Sequence, residues 1–198
     1  MSLGVLRGLL MPFQVFNDLI LPVGRGLAVI CIALMVVCIL VQVFFRYVLN
    51  NALPWPDEAA RFLMLWMTGL IAPSAYRVGG FVAIDMFERA LPRAAAAILS
   101  LFLLGTSLLV LLMAVKLGFD HSSGMAWNFK SATLWVPLDW VGGKSFKVAL
   151  AWMYLSLLVG FILLTIVNIE LILRSLITLT GGGNSLKPLS DQEFVGAE

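Results

Sequence analysis

The chain is predicted to be an all-α membrane protein with four transmembrane helices, and two observations carry that prediction. Of 198 residues, 61% are hydrophobic and only 12% are charged, about half the charged share of an average soluble domain. The apolar residues are gathered into uncharged runs at 26–45, 94–115 and 148–169, each close to the roughly 20 residues a helix needs to cross a bilayer. A fourth run, 62–76, reaches spanning length once a helix starting at Pro56 adds Asp57, Glu58 and Arg61 at the interface.

Helices satisfy their own backbone hydrogen bonds, as lipid requires, and runs of this length without strand-like alternation argue against a barrel. The expected domains are an N-terminal amphipathic segment at 1–22, a four-helix region at 23–178 with spans near 24–48, 56–77, 92–116 and 146–174, and a polar, disordered tail at 179–198.

At the N-terminus, Arg7 precedes an apolar stretch as in a signal peptide, but Gln14, Asn17 and Asp18 interrupt it and no small-x-small cleavage site follows closely. Residues 3–20 instead place Leu6, Leu9, Leu10, Phe13, Phe16 and Ile20 near one face, with Arg7, Gln14, Asn17 and Asp18 elsewhere. That pattern predicts an interfacial helix bent or restarted at Pro12. Cys31 and Cys38 lie two turns apart in the first span, too far to bridge each other within a straight helix; they read as packing residues.

The densest cluster of polar, aromatic and turn chemistry is the hinge at 46–61. Pro54 and Pro56 bracket Trp55, Pro56 suits the first helical turn, and Asp57 and Glu58 complement the positive end of the helix. Arg61 is placed to pair with either acid. Arg46 and Arg77 read as anchors that extend toward the headgroups, or as specific contacts with lipid phosphate or a partner.

The connection after the second span opens with Gly79 and Gly80 and then separates Val82, Met86, Ala90 and Leu91 from Asp85, Glu88 and Arg89, which predicts a short interfacial helix. The longest connection, 116–147, holds Trp127, Phe129, Trp135 and Trp140. Indoles favour the headgroup level, so this segment is expected along the surface, with a re-entrant loop as the alternative.

Several function classes are set aside by what the chain lacks. A net charge of +2 is too slight to imply nucleic acid. A single histidine, His121, cannot supply bis-histidine haem ligation. No metal-ligand cluster, phosphate loop or nucleophile with its base is recognisable, so no enzyme and no cofactor bound by this chain is expected. The polar residues within the spans are Gln42, Thr68, Ser74, Thr106, Ser107, Ser156, Thr165 and Asn168, where an ion-coupled transporter acting alone would show ionisable groups at mid-span. Hydroxyls here are expected to bond their own backbone or a neighbouring helix, with Gln42 and Asn168 the better candidates for contacts between helices. Scaffold, anchor or accessory subunit remains, with an independent oligomeric channel or transporter as the alternative.

The hinge residues Arg46, Tyr47, Asn50, Leu53, Pro54, Trp55, Asp57, Glu58 and Arg61 resemble the small membrane (Q, DctQ-like) subunit of tripartite ATP-independent periplasmic (TRAP) transporters. Ala75, Tyr76, Arg77, Gly79, Gly80, Ile84 and Asp85 are similar to that family's Ala-Tyr-Arg-x-Gly-Gly-His-Ile-x-x-Asp pattern, with Phe81 where histidine is frequent. Ser131, Ala132, Thr133, Leu134 and Pro137 resemble its later small-residue and proline segment.

The resemblance implies a large membrane subunit and a periplasmic substrate-binding protein as partners. It further implies uptake of an organic acid driven by sodium ions bound in the large subunit, with the small subunit enlarging a static scaffold. Candidate contacts with these partners, or with lipid, are Arg46, Tyr47, Asn50, Trp55, Asp57, Glu58, Arg61, Arg77 and Asp85. Both termini are expected in the cytoplasm, the chain lying in the bacterial inner membrane. Charge alone barely decides this: of thirteen Lys and Arg residues, Arg7, Arg25, Arg77, Arg89, Arg93, Arg174 and Lys187 would lie inside and the rest outside.

Overall fold

In the computed structural model, residues 3–79, 93–123, 127–136 and 146–180 are described. They form α1 (Leu3–Tyr47), α2 (Trp55–Gly79), α3 (Arg93–Ser123), β1 (Lys130–Val136), β2 (Phe146–Ala149) and α4 (Ala151–Leu179). The interfacial helix expected near 80–92, with Asp85, lies outside these residues, as do positions 181–198 of the expected tail.

By length and composition, α1, α3 and α4 contain stretches able to cross a membrane. The second helix falls short of that hydropathy because Asp57, Glu58, Arg61 and Arg77 occupy its ends and Thr68, Gly69, Pro73 and Ser74 its interior. Its start follows the expected chemistry: Pro56 is buried in the first turn and Asp57 and Glu58 follow it.

Two expectations change. The first helix is one element of 45 residues, with Pro12 and Pro22 inside it, in place of a separate interfacial helix followed by a span. Each proline removes one backbone donor, yet the helix continues, with both prolines on its exposed side and a packed stripe on the other. Leu6, Leu10, Asn17, Leu21, Gly24 and Ala28 are all buried, at the alternating spacing of about 3.5 residues that keeps one face against neighbouring helices.

The second change concerns the long connection. The third helix continues to Ser123, beyond the expected end near 116, and β1 pairs antiparallel with β2 within a connection for which no strands were expected. The register pairs Lys130 with Ala149, Trp135 with Lys147 and Val136 with Phe146, leaving a bulge between Lys130 and Trp135. The Leu150 N–H closes the hairpin base on the Phe129 carbonyl at 2.9 Å.

The chain divides into two compact units, one of residues 1–22, 72–113 and 162–198, the other of 23–71 and 114–161. In the first, Leu6 and Leu10 of α1 pack with Ile177 and Leu173 of α4, and the Asn168 amide of α4 donates to the Leu104 carbonyl of α3 at 3.3 Å. In the second, small residues set the helix approaches. A Cβ on Gly24 of α1 would lie 3.2 Å from the Leu70 carbonyl oxygen, and one on Gly118 of α3 would lie 3.3 Å from a Leu158 methyl. Helices in lipid associate by such close packing, since water exclusion no longer drives them together.

Candidate functional site

The first unit holds a buried charge cluster. Glu170 of α4 is fully buried. Its Oε1 accepts from Arg77 Nη2 of α2 at 2.8 Å and from Arg174 Nε, one turn further along α4, at 3.0 Å. Its Oε2 accepts from Asn17 Nδ2 of α1 at 2.6 Å. The other end of the Arg77 guanidinium, Nη1, reaches Asp18 Oδ1 of α1 at 2.6 Å. Two carboxylates and two guanidiniums thus cancel in charge, and both oxygens of the deepest acid are occupied. An isolated charge at this depth would be very costly, whereas a paired and hydrogen-bonded one can be held.

In the sequence Glu170 and Arg174 stand just past the uncharged run at 148–169, and Asn17 was expected on the polar side of an interfacial helix. The structure instead turns Asn17 inward, fully buried, while Leu9 and Phe16 are exposed. In a membrane the solvent is apolar, so the exposed face of a helix can be the more hydrophobic one and the packed face can carry the polar group. The available signal was an Asn-Asp pair, an arginine and an i,i+4 Glu-Arg pair, each beside a long apolar run. Their convergence joins residues 153 apart.

The second unit holds a clasp. Glu58, in the first turn of α2, takes the Thr133 backbone N–H on Oε2 at 3.0 Å and also accepts from the Thr133 hydroxyl. Next to it, Ser131 Oγ accepts from the Leu134 N–H at 2.7 Å. Both N–H groups sit in the bulge, where the strand ladder does not pair them, so the two side chains supply the missing acceptors. Glu58 therefore holds β1, and no ion pair between Arg61 and either neighbouring acid is present among the described residues.

The remaining hinge candidates are outward. Arg46, Asn50, Asp57 and Arg61 are exposed, Tyr47 is 71% exposed and Trp55 is 39% exposed. The Arg46 guanidinium lies 5.8 Å from the centre of the Tyr47 ring, within cation–π range. Asn50 ends the turn after α1 in the left-handed region, φ 48°, a conformation asparagine tolerates better than most residues. The Asn51 N–H then folds back to the Phe45 carbonyl at 3.0 Å. Arg77 stands apart from these, its guanidinium engaged by Asp18 and Glu170 within the chain. Near the clasp, Trp127 and Trp152 make an edge-to-face pair with centroids 6.1 Å apart.

Long apolar helices, outward hydrophobic faces and internally neutralised charge define a multi-pass all-α membrane protein. The family model for the DctQ component of tripartite ATP-independent periplasmic transporters matches residues 35–178, and the chain belongs to that family. It is a transporter subunit and not an enzyme, working with the other components of a TRAP complex. No curated protein and no solved structure matches the chain.

Proposed function

We propose that the chain is the static small subunit of a sodium-coupled TRAP transporter for organic acids. It packs against the large membrane subunit, widening the scaffold past which the transport domain moves, and helps dock the substrate-binding protein. The observation that carries this reading is the occupancy of Glu170. A carboxylate that serves a coupling ion must be able to exchange its partners, whereas both oxygens here are held by Arg77, Arg174 and Asn17 of the same chain.

In this reading sodium and solute bind in the large subunit. Both termini lie in the cytoplasm of a bacterium, the chain sits in the inner membrane, and the hinge at 46–61 shares the outer side with the 127–136 segment. Exposed Arg46, Tyr47, Asn50, Trp55, Asp57 and Arg61 are the candidate contacts, and Glu58 contributes by holding β1.

Reconstitution tests the proposal. Liposomes holding this chain with the large subunit, supplied with binding protein and a sodium gradient, are expected to accumulate the organic acid. Liposomes holding this chain alone are expected to carry no flux. Robust uptake by the chain alone would replace the scaffold with an independent oligomeric channel or transporter.

A further inference from the structure

We infer that Asn17 and Glu170 are positioning residues which clamp the N-terminal arm of α1, residues 3–22, in a single register against α2 and α4. The family match begins at residue 35, so the arm precedes the matched region, while Arg77, Glu170 and Arg174 lie inside it. The clamp therefore joins residues outside the matched region to residues inside it.

Within the arm itself, apolar packing defines the register only loosely. Leu6 and Leu10 meet Leu173 and Ile177, and interchangeable aliphatic contacts of this kind would tolerate a slide of α1 by one turn, about 5.4 Å. The polar contacts do not tolerate it. In the observed placement Glu170 Oε2 takes its amide donor from Asn17 at 2.6 Å and Arg77 reaches Asp18. A slide would leave buried Oε2 without that donor, a large penalty where water is excluded. A single polar residue in an apolar helix seam is an established way of fixing register.

The arm's outward side is also apolar, with Val5, Met11, Val15 and Leu19 exposed. Sliding or rotation would therefore change which residues meet lipid or the large subunit. That consequence for transport rests on the scaffold reading, whereas the orientation of the arm can be measured without it.

The test uses spin labels at Met11→Cys and Leu179→Cys, both exposed and both in the first unit, with Cys31 and Cys38 replaced by alanine. Distances are measured by pulsed electron paramagnetic resonance in the complex with the large subunit. The parent is expected to give one narrow distance distribution, and Asn17→Asp, which sets a carboxylate against Glu170, a broad or displaced one. The exchange Asn17→Asp with Glu170→Gln keeps one acid, one amide and the same total charge, and is expected to restore the narrow distribution. Should Asn17→Asp fail to accumulate, Asn17→Ala removes the donor without adding charge and is expected to broaden the distribution. A narrow distribution in Asn17→Asp or Asn17→Ala overturns the clamp, as does broadening that the exchange leaves unrepaired. Flux from the chain alone would overturn the scaffold reading and leave the clamp standing.

Discussion

Gly69 and Gly160 bring α2 and α4 into backbone contact. A Cβ on Gly69 would stand 2.5 Å from the Ser156 carbonyl oxygen, and one on Gly160 would stand 2.9 Å from the Gly69 Cα. Both approaches are to backbone, which cannot swing aside as a flexible side chain would. The Ser156 hydroxyl is bonded to the Met153 carbonyl at 2.7 Å, so the serine bonds within its own helix while its carbonyl oxygen lies over Gly69.

Gly69→Ala is accordingly expected to force the two helices apart and to destabilise the fold by about 1–3 kcal/mol, the usual range for overpacking. Gly160→Ala is expected to act similarly. Gly105→Ala is the control, because nothing lies within 4 Å of the position its Cβ would take. Thermal unfolding in detergent should place the first two below the parent and the control at or near it. Equal stability for all three would show that the crossing is looser than described.

Much of the architecture was legible because lipid imposes long apolar runs on any helix that crosses it, and because Pro56, Asp57 and Glu58 mark a helix start by local chemistry. Asn168 was also legible as an interhelical contact. The charge cluster was not, since Asn17, Arg77 and Glu170 are close only after three helices pack. The hairpin was hidden for a related reason: Lys130–Val136 shows no clean alternation, and its bulge is stabilised by Glu58, from 75 residues away. Glu58 had a sufficient local explanation as a helix-start acid, so nothing nearby pointed to its second role.

The two salt bridges of Arg77 are expected to differ greatly in weight. Glu170 is fully buried while the Asp18 side chain is 41% exposed. Removing one partner of a buried pair costs about 3–5 kcal/mol, and a half-exposed pair carries less of that desolvation cost. Asp18→Asn, which keeps an acceptor for Arg77, should therefore lower stability less than Arg77→Ala does. A double variant, Arg77→Met with Glu170→Leu, removes the deepest pair but also takes the carboxylate away from the buried Arg174 guanidinium, so it should recover none of the loss. Unfolding measurements on the three variants check the ranking.

Loss of the clasp should be local. Glu58→Ala removes the acceptor for the Thr133 N–H and hydroxyl, leaving a buried-edge donor that costs about 1–3 kcal/mol. Hydrogen exchange at 131–134 is expected to accelerate by one to two orders of magnitude while α2 beyond its first turn stays protected. Glu58→Gln keeps a carbonyl acceptor and should show an intermediate effect. Unchanged exchange in Glu58→Ala would mean that the strand is held by other groups.

The exposed hinge residues call for a different readout, because their role in the proposed function is contact with partners. Asp57 and Arg61 are exposed at one end of α2 with no described ion pair between them, and Trp55 is the partly covered member of the three, so their replacement should cost local packing at Trp55 alone. A triple alanine variant is expected to express, insert and copurify with the large subunit as the parent does. Uptake should fall several-fold when binding protein is limiting and recover as its concentration rises, since a weakened docking site raises the concentration needed for half-maximal rate without slowing the transport step. Glu58→Ala should move the same curve in the same direction through β1. If the triple variant and the parent give superimposable curves across binding-protein concentration, the hinge is a helix start and an interfacial anchor, and docking is carried by another surface.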